Sequence, residues 1–351
     1  MSLNSDLTEA IAMIRQSAEG IADRQDLGRV RSLRYTPTGF DRGVWRDICA
    51  MGWPALRLAE ADGGIGLPMQ AYCALAEELG QALLPEPLIG AILAAAYLDG
   101  ETLAAHLAGE ALWLPAWQGS RDTVAADASL RETNGRLTGQ LGYVAMGAGA
   151  DGFVVLAGEH AWLVTADAPG LAVSIEETQD GGHYATLALN DTPAVAARKA
   201  SPHALDEAAL ASAAFLLGLI DASILRTAEY LRTRVQFGKA IGSFQALQHR
   251  MVDMKMEAEL TRASIADAAA RWDAQAGTPD ALAALSRAKA RASETALLIT
   301  RQAIQLHGGI GFTDEHDISL FLRKAMVVAP QYGSAGLHRA RFATLAPFER
   351  N

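Results

Sequence analysis

The segment RTRVQFGKAIGSFQ, residues 232–245, places a guanidinium, an aromatic ring, a glycine turn and a carboxamide within one short stretch. Arg234 stands three residues before Phe237-Gly238, and Gln245 falls just inside the next predicted helix. A guanidinium offers forked donors that match phosphate oxygens, and a phenyl ring offers an apolar face to a ligand's own ring. Each residue also has a plainer role: an arginine near a helix end is well placed against the dipole without any ligand, and Phe237 can be a core aromatic. A second segment, QAIQLHGGIGF (302–312), ends a helix at Gly308. Its three glycines, Gly308, Gly309 and Gly311, exceed what one cap needs. Bare backbone of this kind lets a bulky ligand approach and turns N–H groups toward anionic oxygens. No predicted strand precedes it, so it is not the dinucleotide fingerprint of a doubly wound sheet.

Three zones must position these residues. From 1 to about 110 the segments VWRDICAMGW, MQAYCALAEELGQALL and EPLIGAILAAAYLDG carry apolar residues at helical spacing. PALRLAEADGGIGLP between the first two is a tight connection marked by Gly63-Gly64 and Gly66. From 111 to 200 short Val-, Leu-, Tyr- and Thr-rich runs alternate with Gly, Asn and Asp turns, which predicts a small antiparallel β-domain with a hairpin at AGEHA. From 201 to 351 the chain is helical again. LDEAALASAAFLLGLIDASILRTAEYLRTR is apolar almost all round and predicts a buried helix. Ser243 is the expected cap of the next helix, and Thr278 with Pro279 that of the third. The predicted fold is multi-domain α+β: an N-terminal all-α domain (1–110), a central antiparallel β-domain (111–200) and a C-terminal four-helix-bundle domain (201–351).

The totals set limits on partners. A formal charge of −10 over 351 residues excludes broad nucleic-acid binding, while leaving room for a local basic site for one phosphorylated ligand. Cys49 and Cys73 read as buried thiols of a reducing compartment. The N-terminal MSLNSDLTEAIAMIRQSAEG lacks the apolar core of a signal peptide. The longest apolar runs fall short of the roughly 20 residues of a membrane span. A cytoplasmic location is expected, and no residue is assigned to a metal.

In its two glycine- and arginine-bearing segments the chain resembles the acyl-CoA dehydrogenase family, flavoenzymes that oxidise acyl-CoA thioesters to their 2,3-enoyl forms. RTRVQFGKAIGSFQ is similar to that family's Arg-x-x-Phe-Gly-Lys followed by Phe-Gln. QLHGGIGFTDEHDISLFLRKA resembles its Gln-x-x-Gly-Gly-x-Gly run and following Arg-Asp-Ala, with Lys324 where Asp is usual. MGWPALRLAEADGGIGL with ALAEELG, and LTGQLGYVAMGAGADGFVVLA, resemble the N-terminal and central patterns, so nearly the whole chain is covered in order. The resemblance implies FAD, with Arg234 on the pyrophosphate and Phe237 near the adenine portion. Gln245, Gln305 and the Gly308-Gly309 backbone would also line the cofactor, partly across a subunit interface. It implies an acyl-CoA substrate, an electron-transfer flavoprotein or similar acceptor, and a homodimer or homotetramer. The alternatives are a base-lacking partner in a heterotetramer with a second dehydrogenase-like subunit, or a non-catalytic flavin-binding homologue. EELGQALLPEPLIGAILAAAYL resembles the branch that acts in such pairs on bulky thioesters such as steroid side chains.

The catalytic pattern departs from the family. A carboxylate must take the α-proton of the thioester, and the resemblance locates it shortly after Arg-Asp-Ala. Register from Arg323 to Gly333 puts Tyr332 there, with Ser334 at the following threonine position. An unperturbed phenol, with a pKa of about 10, costs about 4 kcal/mol to ionise at pH 7 and is a poor base. Some relatives carry the base instead on the helix preceding the Arg-x-x-Phe-Gly motif. With Gly218 and Arg234 in register that position is Ala208. Glu207 is adjacent, and one helical step of about 100° turns it away; an acid there also suits a helix N-terminus. The motif that shapes the flavin pocket survives as PAWQGSRD (115–122), and the aromatic-x-Thr/Ser as Tyr143-Val144-Ala145, without the hydroxyl. The adenine-end motifs are intact while the flavin-ring and base motifs have eroded.

Overall fold

A computed structural model of the chain describes residues 3–119, 122–126, 129–199 and 202–346. Its helices before the sheets are α1 (Leu3–Glu19), α2 (Gly28–Leu33), α3 (Arg42–Ala50), α4 (Met69–Gln81), α5 (Leu88–Ala95) and α6 (Gly100–Leu107). The strands β1 (Trp113–Ala116), β2 (Arg131–Thr133), β3 (Arg136–Ala145), β4 (Gly152–Ala157), β5 (His160–Thr165), β6 (Leu171–Glu177), β7 (His183–Pro193) and β8 (Val195–Ala196) follow. Then come α7 (Ala204–Thr233), the short pair β9 (Val235–Gln236) and β10 (Lys239–Ala240), α8 (Gln245–Gln275), α9 (Pro279–His307), α10 (Ile318–Val328) and α11 (Ala335–Leu345). Contacts divide the chain into a mixed unit, Gly28–Tyr72 with Pro85–Ala208, and a helical unit, Met1–Leu27 with Cys73–Leu84 and Ala209–Asn351.

In the mixed unit the strands form two four-stranded sheets, ordered β1-β4-β5-β8 and β2-β3-β7-β6. Pairing is antiparallel, as predicted, except between β1 and β4. Those two are separated by β2 and β3, a connection long enough for the crossover a parallel pair requires. The central strand β4 is buried along its whole length, whereas the edge strand β6 is exposed along nearly all of it. The predicted hairpin closes at Ala157↔His160, with Gly158 supplying the left-handed residue of the turn. His106 ties α6 to its surroundings: it accepts from the Trp113 N–H at 3.2 Å and donates to the Ala91 carbonyl at 3.1 Å. Burial pushes its pKa down to about 4, so it stays neutral. Cys49 and Cys73 are both buried, and burial lifts the Cys49 thiol to about 12.

In the helical unit, α4 and α7 meet through glycine. A Cβ on Gly80 would stand 2.0 Å from the Phe215 carbonyl oxygen, and one on Gly218 only 1.8 Å from that of Glu77. Beside this crossing the two glutamates of ALAEELG are buried in a charge cluster. Glu78 pairs with Arg15 at 2.8 Å and with Arg24, while Glu77 pairs with Arg15 at 3.0 Å and Arg262 at 2.6 Å. Arg262 also holds Asp221. Burial raises the pKa of both Glu78 and Asp221 despite these partners.

Helix α9 begins as expected, with Thr278 accepting from the Ala281 N–H and Pro279 in the first turn. Ser243 does not cap α8. It closes a 3-10 turn, Ile241–Ser243, and spends its hydroxyl on the Ala240 carbonyl at 2.7 Å, leaving Phe244 as the N-cap residue. Helix α7 is long and apolar enough to cross a membrane, which the separate apolar runs did not suggest, but 83% of its most apolar stretch is buried.

Candidate cofactor and catalytic sites

The C-terminal turn of α7, the start of α8 and the end of α9 line an open cleft of about 440 Å³ in the helical unit. Arg234, Gln305, Gly308 and Gly309 all line it, so four of the six predicted cofactor residues come together. Arg250, which sequence reasoning missed, lines it too; it follows Ala246 of the same cavity by one helical turn. Neither arginine has an ion pair among the described residues. Gly308 has φ 67° and ψ −143°, a conformation reserved for glycine. Among the described residues, none beyond the neighbouring backbone lies within 4 Å of where a Cβ would stand on Gly308 or Gly309, so that backbone is open to approach. His307, beside them, stacks on Tyr230 with centroids 4.4 Å apart and donates from Nδ1 to the Ala303 carbonyl at 2.7 Å. Burial lowers its pKa, so Nε2 is a neutral acceptor, and it has no partner among the described residues. The Gly308 N–H is spent on the Gln305 and Ile304 carbonyls as the cap of α9. Two guanidiniums without ion pairs, lining a cavity with glycine backbone open to approach, fit a pyrophosphate, and hence the phosphorylated part of FAD.

Phe237 and Gln245 lie outside this lining. Phe237 and Gly238, both at positive φ, form the two-residue turn between β9 and β10. The phenyl ring is 91% exposed and touches Phe244 edge-on at 6.2 Å, so it is not a core aromatic. Gln245 is the exposed first residue of α8.

Tyr332 occupies the turn between α10 and α11, with φ 58°. Its carbonyl accepts from His338 Nε2 at 2.9 Å. Ser334 is the N-cap of α11 and accepts from the Leu337 N–H at 3.3 Å, which gives the residue at the threonine position a structural task.

A second cavity, about 190 Å³ and wholly within the mixed unit, is lined by Ala208, Glu207, Arg57, Tyr72 and Ile92 among others. Glu207 therefore faces the same cavity as Ala208, contrary to the expectation that one helical step would turn it away. The reason is Arg57: its Nε and Nη2 hold the two carboxylate oxygens at 2.9 and 2.5 Å, and its Nη1 donates to the Leu67 carbonyl at 2.5 Å. Glu207 also sits in the first turn of α7, as its helix-terminus role requires. No spacing in the sequence announces this pair, because its members are 150 residues apart.

On the sheet side, Tyr143 falls at an irregularity of β3 with φ 59° and meets Tyr184 edge-on at 6.0 Å. Val144 is buried. In PAWQGSRD, Pro115 and Ala116 end β1 and Gln118 bridges to Gly142; Ser120 and Arg121 lie outside the described residues.

Residues 8–98 match the family model of the acyl-CoA dehydrogenase N-terminal domain, and residues 199–344 that of the acyl-CoA dehydrogenase C-terminal domain. The chain is 32% identical over 337 residues to the acyl-CoA dehydrogenase IpdE2 of Mycobacterium tuberculosis, covering 93% of this chain and 92% of that one. Among solved structures it is similar to a variant of the Tcur3481-Tcur3483 steroid ACAD, with a TM-score of 0.84 and 31% identity over 98% of both chains. The ChsE4-ChsE5 complex from Mycobacterium tuberculosis gives a TM-score of 0.84 at 25% identity, over 97% of both chains.

Proposed function

The chain belongs to the acyl-CoA dehydrogenase family, and from that membership we propose that it holds FAD yet lacks its own base, acting as one subunit of a heteromeric enzyme. The reaction is the α,β-dehydrogenation of an acyl-CoA thioester. FAD, when bound, supplies the hydride acceptor. Arg234 and Arg250 would neutralise its phosphates, the side-chain-free Gly308-Gly309 backbone would let them approach, and Gln305 would fix their orientation. An arginine on phosphate is a charge-assisted contact of about 1.5–3 kcal/mol. Arg234→Ala is therefore expected to weaken FAD uptake by roughly 10- to 150-fold. Unchanged affinity in a titration of the apoprotein would remove Arg234 from the site.

What carries the base-lacking reading is the fate of the base positions. Tyr332 and Ala208 have no carboxylate, and both oxygens of Glu207 are engaged by Arg57. The cavity beside Ala208, at about 190 Å³, is also smaller than the roughly 300 Å³ at which ligand pockets begin. Similarity to a steroid ACAD and to a two-protein complex supports a bulky thioester and a second, base-carrying dehydrogenase-like chain. Val252, Met256 and Leu260 support a subunit contact on α8: they recur every four residues and leave an apolar stripe exposed. An electron-transfer flavoprotein or similar acceptor, a cytoplasmic setting and domain limits near 110 and 200 belong to the same proposal. The limits are supported by the sheets, which run from Trp113 to Ala196.

The test is acyl-CoA-dependent flavin bleaching. The protein alone should bleach very slowly, and the co-expressed pair at a normal enzymatic rate. A homomeric enzyme with Glu207 as base is the second reading, favoured by the place of Glu207 in the cavity with Ala208. It predicts brisk bleaching by the protein alone, abolished in Glu207→Gln; on the base-lacking reading that variant changes nothing in the pair.

A further inference from the structure

Lys289 is fully buried in α9. Burial pulls its ammonium from 10.5 to about 7, and among the described residues it has no ion pair. Its Nζ donates to the Ala329 carbonyl at 2.8 Å and to Ser293 Oγ at 3.1 Å, and that hydroxyl donates to the same carbonyl at 2.9 Å. Ala329 closes α10, where a helix leaves its last carbonyls without internal partners. Directly after it runs the turn 330–334, with Tyr332 and Gly333 at φ 58° and 101°. The far side of that turn is held by His338 on the Tyr332 carbonyl and by Ser334 capping α11.

An apolar side chain of the same length would fill this space without the cost of a buried charge lacking a counter-ion. What lysine adds is donors, aimed at the point where α10 ends. We infer that Lys289 is a positioning residue: with Ser293 it anchors the Ala329 carbonyl and so fixes the turn that aims the side chain of Tyr332. The value of that aim to the chemistry rests on the reading of Tyr332 as the family's base position; the anchor itself does not.

Hydrogen exchange of the full-length protein tests it, in Lys289→Met and Ser293→Ala. In Lys289→Met the amides of 331–334 should exchange at least about tenfold faster while the thermal midpoint holds or rises, because a buried charge has gone. Ser293→Ala, which keeps the lysine bond, should give a smaller acceleration at the same amides. A purely structural lysine would give the opposite pattern, a lower midpoint with faster exchange throughout α9, α10 and α11. That outcome, or unchanged exchange in 331–334, overturns the proposal. A second arm combines Lys289→Met with Tyr332→Glu. Any bleaching rate gained by the glutamate should fall by about tenfold or more in kcat with KM kept, since a base displaced by about 1 Å loses up to 100-fold. If Tyr332→Glu alone gains nothing, the base-position reading fails and the exchange experiment still decides the anchor.

Discussion

Replacing Tyr332 with glutamate is expected to speed acyl-CoA-dependent flavin bleaching by the protein alone by ~10²–10⁴-fold, the usual yield of a general base. A carboxylate is ionised at neutral pH, whereas a phenol with its ordinary pKa of about 10 is not. The backbone is already prepared for the change. Tyr332 sits at φ 58° without being glycine, so another side chain there adds no new backbone strain. The contacts that hold the turn, from His338 to the Tyr332 carbonyl and from Ser334 to Leu337, use groups that the substitution leaves in place. Since a half-buried carboxylate also costs stability, the thermal midpoint should fall and is measured separately. An FAD-loaded, folded variant with the parent's rate would show that Tyr332 does not face the α-carbon.

The second large effect concerns stability. Gly218→Ala should destabilise the protein by about 3 kcal/mol or more, at the upper end of what overpacking costs. The added methyl would meet the Glu77 carbonyl oxygen at 1.8 Å and the Gln81 nitrogen at 2.9 Å, both backbone atoms that cannot rotate aside. Helices α4 and α7 would have to separate, disturbing the buried pairs of Glu77 and Glu78 next to the crossing. Gly309→Ala is the matched control, because among the described residues none beyond its neighbours comes within 4 Å of its Cβ position. Its unfolding should change by no more than about 0.5 kcal/mol. Equal unfolding midpoints for Gly218→Ala and the parent would mean that the helices do not cross this closely.

What the sequence made legible follows from the range of each interaction. Helix and strand textures are local, and they located the α–β–α order, the AGEHA hairpin and the start of α9 at Thr278. Arg234, Gln305 and Gly308-Gly309, which line one cavity, could be singled out because they belong to two compact motifs. Arg250 carries no such mark. It joins the cluster only through the rotation of α8. Ser243 misled because a good capping residue was already committed within a 3-10 turn. The parallel β1–β4 pair and the Arg57–Glu207 bond depend on segments far apart in the chain, which no periodicity records. Glu207 was misjudged for the same reason: the helical step was right in angle, but a long side chain follows its partner.

The unpaired guanidiniums of Arg234 and Arg250 sit in a chain whose formal charge is −10. A doubly phosphorylated ligand is thus repelled at range and attracted only close to the two arginines. Dissolved salt screens the first effect before the second, because the Debye length at 0.1 M is about 10 Å and direct contacts are far shorter. Modest ionic strength therefore hastens capture, and concentrated salt hastens escape. The apoprotein should load fastest at an intermediate salt concentration, and dialysis against concentrated salt should strip it without unfolding the bundle.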